Sequence, residues 1–191
     1  VRNDLDITRR ELDAMIEIPS VSAPGYDASE VRRSAEFVAS LLRGVGLDDV
    51  RLLELDDAHP AVFGQRSVSS DAPTVLLYAH HDVQPPGPRE QWDTDPFVPD
   101  ERDGRLYARG AADDKAGIAM HLGTLRALDS NLPVNIKVFI EGEEEIGSTH
   151  LAEFLAAYAD LLAADVIVIG DGGNWAPGVP GITTSLRGLV D

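Results

Sequence analysis

The stretch Thr74-Val75-Leu76-Leu77-Tyr78-Ala79-His80-His81-Asp82 decides the fold. Its apolar part has the length and composition of a buried β-strand, whereas its last three residues carry two imidazoles and a carboxylate. Polar groups of this kind are costly to bury unless they bind something. Because successive side chains of a strand alternate between its faces, His80 and Asp82 point to one side and His81 to the other. The stretch therefore predicts a buried strand that ends at a polar site, with His81 as a surface or packing residue.

Two further apolar stretches end in the same way. Val134 to Ile140 leads into Glu141-Gly142-Glu143-Glu144-Glu145, and Val166 to Ile169, predicted as another buried strand, leads into Gly170-Asp171. The carboxyl ends of parallel strands meet along one edge of an α/β sheet, where ligands bind. Like charges gathered there repel one another unless a cation lies among them. The sequence therefore predicts a cation site at this edge.

Helical and strand patterns alternate along the chain, which predicts an α/β fold with a mixed, mainly parallel sheet and helices on both faces. The predicted helices cover 5–16, 29–42, 113–128 and 151–162. The predicted strands cover 50–55, 61–65, 74–79, 134–140, 166–169 and 181–186. Asp103-Gly104, between short apolar pairs, is typical of a β-hairpin turn.

Composition narrows the classes of function. The chain has 191 residues, 43% hydrophobic and 26% charged, which is typical of a globular domain. Its net charge of -17 argues against nucleic acid or an anionic membrane as a partner. It contains no cysteine, so any metal must be held by His, Asp and Glu. No apolar signal core or membrane-length apolar run is found, and we expect a cytoplasmic protein.

Simpler interpretations exist for each polar cluster. Asp113 or Asp114 could merely cap the helix that follows, and Glu143-Glu144-Glu145 could be a solvated turn. A lone histidine is more often structural than a ligand. However, a metal-bound imidazole usually gives its second N–H to a carboxylate, and Asp82 stands two residues after His80. Together with the acidic strand ends, this spacing favours a metal site.

Six motifs occur in an order that resembles a known family. They are His80-His81-Asp82-Val83-Gln84-Pro85, Trp92-Asp93-Thr94-Asp95-Pro96-Phe97, Gly104-Arg105-Leu106-Tyr107-Ala108-Arg109-Gly110, Asp113-Asp114-Lys115, Glu141-Gly142-Glu143-Glu144-Glu145-Ile146-Gly147-Ser148 and Gly170-Asp171. The family is that of the dizinc exopeptidases and amidohydrolases, which includes carnosinase, nonspecific dipeptidases, aminoacylase, succinyl-diaminopimelate desuccinylase and glutamate carboxypeptidase. The resemblance covers nearly the whole chain, is strongest to the dipeptidase branch, and implies a zinc-exopeptidase-like catalytic domain.

The resemblance implies a set of metal ligands. His80 and Asp171 resemble the ligands of a first metal and Glu145 a ligand of a second, while Asp113 resembles the carboxylate that bridges both. It also implies a cis peptide bond between Asp113 and Asp114. The expected cofactors are two divalent ions; Zn²⁺ is preferred, and the donor set leaves Mn²⁺ or Co²⁺ open.

The resemblance also implies a reaction. Glu144 resembles the general base that acts on a metal-activated water, and Asp82 the carboxylate that orients His80. The expected reaction is hydrolysis of a peptide bond in short peptides, above all dipeptides. The alternatives are an N-acyl amino acid amidohydrolase of the deacylase or desuccinylase type, an inactive truncated metal-binding fragment, and a plain acidic interaction domain.

The sequence departs from the family pattern in two respects. Ala116 and Gly117 follow the motif lysine, where the family usually has glycine first. Further, a late ligand histidine and a lid histidine of the family have no counterpart here. We therefore expect residues 1–191 to be the N-terminal portion of a catalytic domain, without the lid and dimerisation domain and without the C-terminal return of the catalytic domain. Such a fragment should be inactive alone, and the full-length protein a homodimer.

Overall fold

A computed structural model describes residues 2–129, 131–176, 178–179 and 181–183 of the chain. Its helices are α1 (Arg2–Ile16), α2 (Ala28–Gly44), α3 (Lys115–Leu128), α4 (Leu151–Ala157) and α5 (Ala159–Leu162). Its strands are β1 (Asp49–Leu53), β2 (Ala61–Arg66), β3 (Thr74–His80), β4 (Asp100–Arg102), β5 (Arg105–Tyr107), β6 (Asn135–Glu141) and β7 (Val166–Ile169). The predicted strand 181–186 lies largely outside the described residues, and 181–183 are not in a strand.

Five strands form one mixed sheet in the order β1-β2-β6-β3-β7. Strand β2 is antiparallel to both of its neighbours, whereas β6, β3 and β7 are parallel to one another. In this register His80 lies opposite Glu141, and Tyr78 lies opposite Ile169. The three polar strand exits therefore reach the same edge of the sheet, as the sequence predicts.

Helices cover both faces of the sheet, which confirms the predicted fold class. On one face, α1, α2 and α3 bury side chains such as Met15, Leu42 and Leu122 in one hydrophobic cluster. On the other face, Phe154 of α4 and Leu162 of α5 pack in a second cluster. The alternating side chains of the central strands fill both clusters, because period-two alternation supplies apolar residues to each face. Within the described residues, no helix is both long and apolar enough to cross a membrane.

Strand β7 is exposed, so the prediction of another buried strand is wrong for Val166 to Ile169. The four side chains are 52%, 63%, 40% and 64% exposed. The strand lies at the edge of the sheet, where it pairs with β3. Among the described residues, its side chains belong to neither hydrophobic cluster. A short apolar run predicts a strand, but it does not show whether other parts of the protein cover that strand.

Local hydrogen bonds set the boundaries of several elements. The hairpin turn forms at Asp103 and Gly104, whose φ angles of 52° and 73° suit a primed β-turn between β4 and β5. Helix α3 begins two residues later than predicted, because Asp114 caps it. The predicted helix 151–162 is divided at Tyr158, which ends α4 and precedes α5. The hydroxyl of Tyr158 donates to the Glu54 carbonyl oxygen at 3.0 Å, and this tertiary contact accompanies the break.

Candidate metal centre

His80 lies at the centre of a group of carboxylates at the strand exits. Its Nε2 atom is 3.0 Å from Oδ1 of Asp113, 3.9 Å from Oε2 of Glu144 and 3.9 Å from Oδ2 of Asp171. The imidazole is buried, whereas the side chains of these acids are 63%, 38% and 37% exposed, in the same order. The imidazole therefore forms the base of a site whose acidic wall faces solvent.

Three of these residues fit a divalent metal. His80, Asp113 and Asp171 each offer one ligand atom, and these atoms all lie within 4.8 Å of one another. One imidazole nitrogen with two carboxylate oxygens is a donor set that Zn²⁺ accepts, and Mn²⁺ or Co²⁺ can accept it as well. The geometry brings together residues from the exits of β3 and β7 and from the loop before α3.

The raised pKa values of the acids in the site indicate a place that favours a bound cation. Burial raises the pKa of Glu144 and Glu145, and neighbouring acids raise it further. Burial also raises the pKa of Asp114 to about 7. Burial lowers the pKa of His80, but the hydrogen bond and charge of Asp82 and the other nearby acids outweigh it and raise this pKa to about 10. Crowded acids that favour protonation are the environment in which a divalent ion relieves repulsion.

The two aspartates before α3 have different tasks. Asp114 is the helix cap: its Oδ1 accepts from the Gly117 N–H at 3.1 Å, and its Oδ2 accepts from the His80 N–H at 3.2 Å. Asp113 is directed towards the His80 ring, and the peptide bond between the two aspartates is cis, as expected. A Cβ atom at position 117 would lie 2.2 Å from Oδ1 of Asp114. The glycine is therefore needed at 117, whereas Ala116 is tolerated one residue earlier.

Asp82 is a buried hydrogen-bond acceptor that connects several parts of the site. The Nδ1 atom of His80 lies 3.3 Å from its Oδ1 and 3.0 Å from its backbone oxygen. The backbone N–H groups of Glu144 and Glu145 donate to the same carboxylate at 3.3 and 3.1 Å, and the Ser22 hydroxyl donates at 2.7 Å. Burial alone raises the pKa of Asp82, but the hydrogen bonds from His80 and Ser22 outweigh it, so this pKa lies below its ordinary value.

Glu145 lies beside this group rather than within it. Its Oε2 accepts from Nε2 of Gln84 at 2.6 Å. Burial raises the pKa of Glu145 most, and the negative charge of Asp113 raises it further, although the hydrogen bond from Gln84 lowers it. The described residues therefore present one three-ligand group, and Glu145 stands close to its exposed Asp113 side.

Two neighbouring residues are structural. His81 is fully buried on the opposite side from His80, and its Nε2 lies 2.9 Å from the Pro60 carbonyl oxygen. It is therefore a packing residue and not a surface residue. Glu143 is also buried, and it accepts from the His59 N–H at 2.8 Å and from the His150 N–H at 3.1 Å. The solvated-turn interpretation is thus wrong for Glu143.

Two residues that contact the site were not singled out from the sequence. Ser22 donates to Asp82 although 60 residues separate them, and no local pattern signals such a contact. Gln84 donates to Glu145, and its place in the motif, two residues after Asp82, could have drawn attention to it. A cleft of about 600 Å³ also lies next to Asp113, lined in part by Ala112, the residue before it.

Known proteins share this fold and this sequence pattern. The cysteinylglycine-S-conjugate dipeptidase of Corynebacterium striatum is 42% identical over 182 residues, which are 94% of this chain and 40% of that protein. The β-Ala-His dipeptidase of Mus musculus is 35% identical over 165 residues, 81% of this chain and 34% of that protein. The crystal structure of human carnosine dipeptidase 1 superposes with a TM-score of 0.78 at 33% identity, covering 89% of this chain and 39% of that one.

The chain spans about two fifths of the length of these relatives. Their names agree with the dipeptidase branch that the motifs resemble, and that prediction is confirmed. The sequence model of Peptidase family M20/M25/M40 matches residues 76–185, which include every acid of the site and His80. The chain therefore belongs to Peptidase family M20/M25/M40.

Proposed function

We propose that this chain is part of a metal-dependent hydrolase that cleaves the peptide bond of dipeptides. The observation that carries the proposal is the convergence of the carboxylates of Asp113, Asp171 and Glu144 on Nε2 of His80. The relatives are named as dipeptidases, which supports the substrate class.

Two divalent ions, with zinc preferred, are the proposed cofactors. His80, Asp113 and Asp171 would hold the first, while Asp113 and Glu145 would contribute to the second. When bound, such ions polarise the scissile carbonyl and lower the pKa of water. The donor set and the repulsion among the acids support this assignment.

Glu144 is the proposed general base. Its Oε2 atom lies 3.9 Å from Nε2 of His80 and its side chain is 38% exposed, so the carboxylate borders the site and is open to solvent. Burial and neighbouring acids raise its pKa, which brings the carboxylate closer to the range in which a base works at neutral pH. A carboxylate oxygen of Glu144 would take a proton from the attacking water and then deliver it to the leaving amine. Asp82 would hold the Glu144 backbone and the His80 ring in position.

Substitution of Glu144 by Gln in the full-length protein tests this role. Glu144→Gln should lower turnover of a dipeptide by about 10²–10⁴-fold while the bound metal content stays unchanged. Glu145→Gln should instead lower the metal content, because Glu145 is the proposed ligand. Both quantities are measured by steady-state hydrolysis and by elemental analysis of the purified protein. Normal turnover of Glu144→Gln would refute the assignment.

A substrate panel separates the proposed activity from its main alternative. The same chemistry could serve an N-acyl amino acid amidohydrolase, because an amide is cleaved in both reactions. The test is to compare kcat/KM of the full-length protein for dipeptides and for N-acyl amino acids. Preference for N-acyl amino acids would replace the dipeptidase assignment with a deacylase one.

The chain is also proposed to be the N-terminal portion of a larger catalytic domain. Relatives about two and a half times as long and the exposed apolar strand β7 support this organisation. The homodimer, the cytoplasmic location and the lack of nucleic-acid or membrane partners stay predictions, as does the inactivity of the isolated fragment.

A further inference from the structure

A short segment after α1 packs against the strand exit that carries the site. Val21 forms a parallel β-bridge with Val83, and the Val83 N–H donates to the Ser20 carbonyl oxygen at 3.0 Å. This pairing places Ser22 beside Asp82. Ser22 is 4% exposed and Asp82 is fully buried. The segment 20–22 is thus a fixed part of the wall behind the site.

The hydroxyl of Ser22 makes the shortest hydrogen bond that Asp82 accepts from another residue. The Ser22 Oγ atom lies 2.7 Å from Oδ2, compared with 3.1 Å for the Glu145 N–H on the same oxygen. The other oxygen faces the His80 ring and the Glu144 N–H, each at 3.3 Å. A buried carboxylate needs its donors, because a lost charge-assisted hydrogen bond is not replaced by water.

We propose that Ser22 is a positioning residue for the metal centre. Its hydroxyl fixes the rotation of the Asp82 carboxylate. Asp82 in turn fixes the His80 ring and the backbone that carries Glu144 and Glu145. The inference rests on the proposed function, since it concerns the same site. Outer residues that orient metal ligands typically change metal affinity or activity by about 10–100-fold when they are lost.

Ser20 offers a matched control within the same segment. It is fully buried, and its hydroxyl donates at the same distance of 2.7 Å, but to the backbone oxygen of His81. That residue turns its side chain away from the site. Loss of the Ser20 hydroxyl therefore removes a buried hydrogen bond of equal length without touching Asp82.

The experiment compares Ser22→Ala and Ser20→Ala in the full-length protein. Zn²⁺ affinity is measured by competition with a chelator, and the free energy of unfolding by urea titration without metal. Both variants should lose stability, and Ser22→Ala should lose more, because its hydrogen bond is charge-assisted, whereas the His81 carbonyl oxygen keeps the Ser34 hydroxyl as a donor at 3.3 Å. Zn²⁺ affinity should fall at least about 10-fold in Ser22→Ala and less than about 3-fold in Ser20→Ala. In an Asp82→Asn background, Ser22→Ala should lower the affinity much less, because Ser22 acts through Asp82.

The contrary outcomes are distinct. Equal changes of Zn²⁺ affinity in the two alanine variants, or none in either, would overturn the positioning role and leave the proposed function intact. Wild-type protein that binds Zn²⁺ but cleaves no dipeptide contradicts the proposed function alone. Wild-type protein that binds no divalent ion contradicts both.

Discussion

At the scale of the residue, the adjacent His80 and His81 have pKa values shifted in opposite directions. Burial lowers the pKa of both His80 and His81. For His80, Asp82 and the other nearby acids reverse the effect, and its pKa is raised to about 10. For His81, burial prevails and its pKa is lowered to about 4. Alternation of side chains across the strand separates the two environments.

The low pKa of His81 predicts a specific loss of stability in mild acid. The unfolded chain binds a proton at His81 near pH 6.5, whereas the folded protein resists it down to about pH 4. The stability from the neutral ring is therefore present above pH 6.5 and is lost as the pH falls towards 4. By linkage, this single residue should account for about 2 kcal/mol of the decrease between pH 7 and pH 5.

The variant His81→Gln tests this prediction, because its amide can still donate to the Pro60 carbonyl oxygen but does not titrate. The free energy of unfolding is measured by urea titration at pH 7 and pH 5, without metal. The variant should be less stable than wild type at pH 7. Its decrease in the free energy of unfolding between pH 7 and pH 5 should be about 2 kcal/mol smaller than that of wild type. Identical pH dependence of the two proteins would mean that His81 is not the titrating group.

At the scale of the element, periodicity predicted most of the helices and strands, and topology predicted the common edge of their polar exits. His80 and Asp171 could be placed together because parallel strands end at one edge, whereas Asp113 lies before α3 and was assigned to the site from the family resemblance. Ser22 could not, since its contact with Asp82 depends on how the segment after α1 packs. The division of the helix 151–162 at Tyr158 is likewise accompanied by a contact with Glu54, 104 residues away, which no local pattern signals.

The contact between α1 and α3 yields a prediction about Lys115. Its fully buried ammonium donates to the carbonyl oxygens of Met15 and Ile18, at 2.8 and 2.7 Å, and so fastens the end of α1 to the start of α3. Lys115→Met keeps much of the volume but removes this donor from two carbonyl oxygens, each of which keeps one backbone N–H donor. Burial lowers the pKa of Lys115 to about 7, which offsets part of what these hydrogen bonds contribute. Stability should therefore fall by about 1–3 kcal/mol, measured by urea titration.

Lys137 is the control for this substitution, and it is the other lysine of the chain. Its ammonium donates to the Ala163 carbonyl oxygen at 2.7 Å, but in a solvent-exposed position. Water can replace that donor, so Lys137→Met should change stability by about 0.5 kcal/mol or less. Similar losses in both variants would show that burial of Lys115 is not the reason for its effect.

At the scale of the whole molecule, the sequence did not predict the order of the strands in the sheet or which strands are covered by other parts of the protein. Strand β6 inserts between β2 and β3, so that paired residues are 61 positions apart between β3 and β6 and 70–78 positions apart between β2 and β6. Strand β7 has the apolar composition of a core strand, yet it is exposed at the edge of the described sheet. Local patterns carry no information on which elements become neighbours, or on what covers an edge.

The exposure of β7 leads to a prediction about the full-length protein. Monomeric proteins rarely leave a continuous apolar strand in water. If the chain is part of a larger catalytic domain, other residues of that domain should cover β7.

Thiol labelling of the full-length protein tests this. Ile167 is 63% exposed here, and Val68, in the loop between β2 and β3, is 43% exposed. A thiol placed at Ile167 should nevertheless react with a thiol reagent at least about 10-fold more slowly than one placed at Val68. The 191 residues contain no cysteine, so Ile167→Cys and Val68→Cys each add one thiol to this part of the protein. Faster labelling at Ile167 than at Val68 would mean that β7 is open in the full-length protein, and the proposed domain organisation would have to be abandoned.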